Sequence, residues 1–220
     1  MKVFCIGLNK TGTTTLGECL RILGYKHTSF SQTLLEGVAL GNSDKVIEIT
    51  NLHDSFADWP YPLIYKQLDC IYNGSRFILS RRKTPETWFN SLASHSLRTD
   101  PFVGSRTRSL VYGYPYPQLN PIAHLAFYNK HLNDARSYFR NRPQDILELC
   151  WDEGSGWKDI CSFLSLPVPH QDLPYSNSTR LGNMSNDKKN KNLLNWYTQL
   201  HQNTLYSCNN ENPKTDSRDA

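Results

Sequence analysis

The chain has 220 residues, enough for one domain with a sizeable core. Its 5 Trp, 12 Tyr and 9 Phe exclude a disordered chain. The net charge of +4 suits an anionic ligand but falls short of a nucleic-acid footprint, so no nucleic-acid partner is expected. The cysteines at 5, 19, 70, 150, 161 and 208 form no Cys-x-x-Cys pair, and no zinc site is expected. Cys5 and Cys150, in apolar runs, read as small buried hydrophobes. The first apolar stretch is too short for a signal peptide, and no segment approaches transmembrane length. A reduced, soluble, cytoplasmic protein is the expectation, in which the sequons at Asn73, Asn177 and Asn183 carry no sugar.

In chain order, an apolar run from Val3 to Leu8 predicts a strand, broken at Asn9-Lys10-Thr11-Gly12 and followed by a helix from Thr14 to Leu23. Lys26 to Phe30 reads as a short strand, and Ser31 to Leu40 and Asp44 to Asn51 as helices. Ser55 to Pro60 is a short apolar piece stopped by proline, and Tyr61 to Tyr72 is a helix ended at Asn73-Gly74. Arg76 to Ser80 has the continuous apolar middle of a buried parallel strand, and a helix from Pro85 to Leu97 follows. From Arg98 to Pro121 the sequence predicts an irregular lid or binding loop. Asn120 caps a long helix to Arg140, with Pro121 at its first position. Asp145 to Cys150 is a further strand, Gly156 to Leu164 a further helix, and Leu193 to Leu205 a possible last one. The alternation gives an α/β fold with a mostly parallel central sheet flanked by helices. One domain is expected over residues 1–206, with 207–220 as a disordered tail.

Strand, tight glycine turn, then helix presents backbone N–H groups to an anion. Around Gly12, Lys10 adds a point charge, and Thr11, Thr13, Thr14 and Thr15 add hydroxyl donors. An ordinary capped turn would need one hydroxyl and no lysine, so the stretch reads as a phosphate site. Gly7 and Gly12 have the spacing of a Walker loop, but Thr13 stands where its lysine belongs. A nucleotide kinase lacking that lysine would be crippled, although an ATP–Mg²⁺ phosphotransferase stays open as an alternative.

Lys10-Thr-Gly-Thr-Thr14 resembles the 5′-phosphosulfate loop of the sulfotransferases, which use 3′-phosphoadenosine 5′-phosphosulfate (PAPS) and have a P-loop-like α/β fold. That resemblance implies PAPS as co-substrate, with Lys10, Thr11, Gly12, Thr13, Thr14 and Thr15 around its 5′ end. The family grips the 3′-phosphate with an arginine at a strand end and a serine on the next helix. Arg82 and Ser91 take those places, with one residue more between them than the commonest spacing and Arg81 as the alternative arginine. Ala57-Asp58-Trp59-Pro60 falls where cytosolic members have a catalytic base before Leu-Pro. Asp58 is therefore either that base or a cap for the Tyr61 helix, with His53 and Asp54 as weaker candidates. Gly156-Trp157, Phe163 to Pro167 and Pro174 to Asn177 also resemble a sulfotransferase subfamily, as does Tyr112 to Pro115 with His124 and His131. The C-terminal Arg-Lys-Gly loop has only Arg180-Leu-Gly182 as its counterpart.

The resemblance implies metal-independent transfer of a sulfuryl group to a hydroxyl, or in second place an amine, of a small-molecule, carbohydrate or lipid acceptor. Trp59, Tyr61, Trp88, Tyr112, Tyr114, Tyr116 and His95 are candidates for the acceptor pocket. A rival is an anion-binding module using Arg76, Arg81, Arg82, Lys83, Arg98, Arg106 and Arg108.

Overall fold

The computed structural model describes residues 1–174 and 184–210. Among them five strands form one sheet: β1 (Val3–Cys5), β2 (His27–Thr28), β3 (Ser55–Phe56), β4 (Arg76–Arg81) and β5 (Ile146–Cys150). Their order is β2-β3-β1-β4-β5, and every neighbouring pair is parallel. Register is set by apolar matching: Phe4 lies level with both Phe56 and Phe77, and Ile78 with Leu147. The three phenylalanine rings stack, with centroids 4.9 Å and 5.5 Å from that of Phe4.

Side chains of a strand alternate between faces, and here both faces are covered, as a parallel sheet requires. The helices in order are α1 (Thr13–Ile22), α2 (Gln32–Ala39), α3 (Asp44–Asn51), α4 (Tyr61–Ile71), α5 (Pro85–Ser96), α6 (Val103–Tyr112), α7 (Pro121–Phe139), α8 (Trp157–Leu164) and α9 (Met184–Asn210). Val3, Cys5 and Ile78 pack with Leu16 and Leu20 of α1 and Ile160 and Leu164 of α8. Phe4, Phe77 and Leu79 pack on the other face with Leu68 of α4, Leu92 of α5 and Leu132 of α7. The α/β expectation holds, and most predicted elements fall within a residue or two of their observed bounds.

Two expectations are corrected. The stretch from Arg98 to Pro121 is not an irregular loop, because ten of its residues form α6. Asp100 Oδ1 accepts from the N–H groups of Phe102 and Val103 at 2.9 and 2.8 Å where the helix begins, and Gly113, at φ 79°, ends it in the left-handed conformation. At the far end, α9 starts nine residues before the expected Leu193. Its polar sequence hides the anchor, a buried Asn190 whose amide donates to Leu97 O and Thr99 O and accepts from the Tyr116 hydroxyl. Residues 211–220 of the expected tail, and the Arg180-Leu-Gly182 counterpart, lie outside the described residues. Among the described residues no helix is long and apolar enough to cross a membrane. Cys5, Cys19, Cys70, Cys150 and Cys161 are free thiols, and Cys5 and Cys150 are buried as expected.

The strand order reverses beside β1: the chain first builds β2 and β3 on one side, then β4 and β5 on the other. In such a sheet the crevice beyond the carboxyl ends of the strands is where ligands bind. The segments leaving β1, β3, β4 and β5 at that end carry Lys10, Asp58, Arg82 and Trp151.

Candidate active site

The turn after β1 is strapped to β4. A Cβ on Gly7 would lie 2.0 Å from Ser80 Oγ and 2.3 Å from Ser80 O, so only glycine lets the strands approach there. Thr11 donates to Leu8 O at 2.6 Å and meets Ser80 Oγ at 2.6 Å. Its hydroxyl, expected to face a ligand, is turned inward, and Thr11 can meet an anion only through its backbone. His131 Nε2 donates to Ile6 O at 2.7 Å, which spends that histidine on the scaffold. Asn9 is fixed from two sides, its carbonyl by Trp88 Nε1 at 2.9 Å and its Oδ1 by the Tyr112 hydroxyl at 2.6 Å.

Gly12 then opens α1 in the left-handed conformation, φ 87°. No side chain caps this helix and its first turn holds no acidic residue, whereas Ser31, Thr84 and Asn120 cap α2, α5 and α7. The first N–H groups of α1 are therefore left for an external acceptor. The Trp151 indole lies against Gly12, where a Cβ would come within 2.4 Å of its Nε1. Trp151 Nε1 and Thr15 Oγ1 are buried with no partner among the described residues, two orphan polar groups beside an uncapped helix end. Thr13 is buried and Thr14 is exposed. This arrangement fits a phosphate group.

At the end of β4 the two arginines part company. Arg81 is taken by Glu148 and Glu153, a surface ion-pair cluster that leaves it unsuited to a ligand. Arg82 turns to the crevice: Nε donates to Asp152 Oδ2 at 2.7 Å and Nη1 reaches Lys10 O at 3.5 Å. Its backbone N–H donates to the Tyr128 hydroxyl, and Tyr128 stacks on Trp88 at 4.6 Å. Arg82 is thus oriented beside the turn. Ser91 is half-buried on α5.

Among the described residues three non-glycine residues have positive φ: Lys10 (70°), Asp58 (62°) and Ser165 (56°). Two of these are the charged residues that the sequence points to, and such backbone strain clusters where a fold fixes function. Asp58 Oδ1 accepts from its neighbour Trp59 N at 2.8 Å, and α4 begins with no side-chain cap. The carboxylate is not a helix cap. Burial pushes it up to about 6, against the Trp59 N–H and the positive charge of Lys10. Lys10 is lowered by burial and by Arg98 and Arg82, with Asp58 opposing. His53 and Asp54, the weaker candidates, stand at the amino end of β3, where Asp54 accepts from Lys26 N and His53 Nδ1 lies 2.9 Å from Ile49 O.

One neighbour of Lys10 was only a pocket candidate in the sequence: His95 Nδ1 lies 3.4 Å from Lys10 Nζ. Burial first, then Lys10, Arg108 and Arg98, pushes His95 down to about 4, so it faces the ammonium as a neutral acceptor. Most of the expected pocket aromatics are core instead: Trp59, Tyr61, Trp88 and Tyr116 are at most 1% exposed, with Tyr112 edge-on to Trp59 and Trp88, while Tyr114 is half-buried. The basic-stripe reading also loses its footing, since Arg76, Arg81, Arg82 and Arg106 are each paired with a carboxylate and Arg108 is buried.

The family profile described as "Sulfotransferase domain" matches residues 2–181. The chain is also similar to the Ava biosynthesis cluster protein M of Aspergillus versicolor, at 25% identity over 213 residues and 80% coverage of each chain.

Proposed function

The chain belongs to the sulfotransferase domain family, and on that premise we propose that it moves a sulfuryl group from PAPS to a hydroxyl of a small acceptor. The observation that carries this reading is the strained pair Lys10 and Asp58 beside an uncapped α1. The N–H groups of the turn, with Thr13 and Thr14, would hold the 5′-phosphosulfate, and Trp151 and Thr15 offer the further donors noted above. Arg82, with Ser91 on α5, would take the 3′-phosphate, since Arg81 is held between two carboxylates while Arg82 has the single partner Asp152 and reaches Lys10 O. Asp58 would accept the proton of the attacking hydroxyl as the new S–O bond forms. The S–O bond to phosphate breaks in line, and Lys10 neutralises charge on the departing oxygen. Positive potential from backbone donors and Lys10 means that no step calls on a metal ion. The relative's place in a biosynthesis cluster favours a small-molecule acceptor over a polymer.

Titration with adenosine 3′,5′-bisphosphate tests the donor half. Arg82→Ala should weaken binding by about tenfold or more, the scale of a charge-assisted fork to phosphate. Unchanged affinity would move the 3′-phosphate to another residue.

A further inference from the structure

Past the end of α5 the chain gathers positive charge that the donor reading does not use. Thr99 N and Arg98 N both donate to His95 O, at 3.2 and 3.0 Å, which winds residues 95 to 99 into one tight corner beside Lys10. Arg108 of α6 closes the corner, its Nη1 donating to Thr99 Oγ1 at 3.1 Å. Arg108 is only 4% exposed, yet its other contacts are neutral: the Pro115 carbonyl and the Tyr116 ring, 5.0 Å below the guanidinium. Its Nη2 is buried with no partner among the described residues. None of their salt bridges includes Arg98 or Arg108, and the charges that act on His95 are all cationic. A buried guanidinium without a carboxylate is costly unless something anionic answers it.

We propose that Arg98 and Arg108, gathered with Lys10 around His95, form an acceptor-side subsite for a carboxylate that the acceptor itself carries. Two features fix its place and its ligand. Lys10 Nζ lies 3.4 Å from His95 Nδ1, and its charge is sensed by Arg98, Arg82 and Asp58, so the corner opens on the reacting end of the donor. With Lys10 engaged by the donor, the half-buried Arg98 makes the one direct contact and the buried Arg108, behind Thr99, adds its charge at longer range, which matches a monoanion better than a phosphate dianion. The acceptor would then be a hydroxy acid, its hydroxyl at Asp58 and its carboxylate at Arg98.

The subsite rests on the donor reading above, and one experiment separates their failures. Protein saturated with adenosine 3′,5′-bisphosphate is titrated with 4-hydroxyphenylacetate and its amide, and with 12-hydroxydodecanoate and its amide. In at least one pair the acid should bind about tenfold tighter than the amide, as expected for one charge-assisted contact. Arg98→Ala, at a half-exposed position that the fold does not need, should erase that preference and leave bisphosphate affinity essentially unchanged. Arg98→Lys should retain part of it. Absence of preference in both pairs, or a preference that survives Arg98→Ala, would overturn the subsite while the donor site stands. Failure of the bisphosphate itself to bind would overturn the donor reading, and the subsite with it.

Discussion

Replacing Lys10 by alanine should lower turnover by roughly 10²–10³, the usual loss when one preorganised donor to a developing charge is removed. Lys10 is held for that task by backbone rather than by side-chain pairing. Asn9 before it is locked by Trp88 and Tyr112, Gly12 after it starts α1, and its own φ of 70° is imposed by these neighbours. The ammonium meets the neutral His95 nitrogen at 3.4 Å, so it is oriented without being neutralised. Removing the side chain leaves Gly7, Thr11 and the helix N-terminus intact, and adenosine 3′,5′-bisphosphate should still bind. Single-turnover rates alongside calorimetric affinities distinguish the two effects. Turnover at the wild-type rate in Lys10→Ala would remove the residue from the reaction.

Asp58→Asn should cost about 10²–10⁴ in turnover, the range for loss of a positioned general base, with donor affinity kept. The pH dependence carries more information than the rate. Because burial raises the Asp58 carboxyl to about 6, the free enzyme holds its base form only above that pH. Activity should therefore fall by about tenfold per unit as pH drops below 6, and the residual activity of Asp58→Asn should lack that acid limb. His95 stays neutral down to about 4 and adds no limb of its own near 6. An Asp58→Asn enzyme that kept the acid limb would assign it to a different group.

The proposed donor half of the site can be drawn from sequence because it is written in consecutive residues. A strand, a glycine turn and a helix fix Lys10 to Thr15, and a strand end followed by a helix fixes Arg82 and Ser91. Local sequence favours Arg82 over Arg81, and the physical reason to keep that preference lies far off in the chain: Glu148 and Glu153 occupy Arg81. Thr11 shows the limit of reading a hydroxyl as a ligand donor, since the partner that turns it inward, Ser80, is 69 residues away. Trp59, Trp88 and Tyr112 read as pocket candidates for a similar reason. They pack on one another and on Tyr128 across three helices and a turn, and only the fold shows that they are core. Helix α6 escaped because its Arg, Ser and Thr residues blur its apolar side, although Asp100 before it and Gly113 after it were boundary signals. Without that helix in view, Arg108 looked like one more surface charge.

The account stands most directly on which nucleotide the turn accepts. Calorimetry of the full chain with adenosine 3′,5′-bisphosphate, and in parallel with ATP–Mg²⁺, measures this without knowledge of the acceptor. A lysine two places before Gly12, an uncapped α1 and an Arg82 oriented by Asp152 beside the turn predict one tight site for the bisphosphate and markedly weaker binding of ATP–Mg²⁺. Preference for ATP–Mg²⁺, or no binding of the bisphosphate, would contradict the PAPS site.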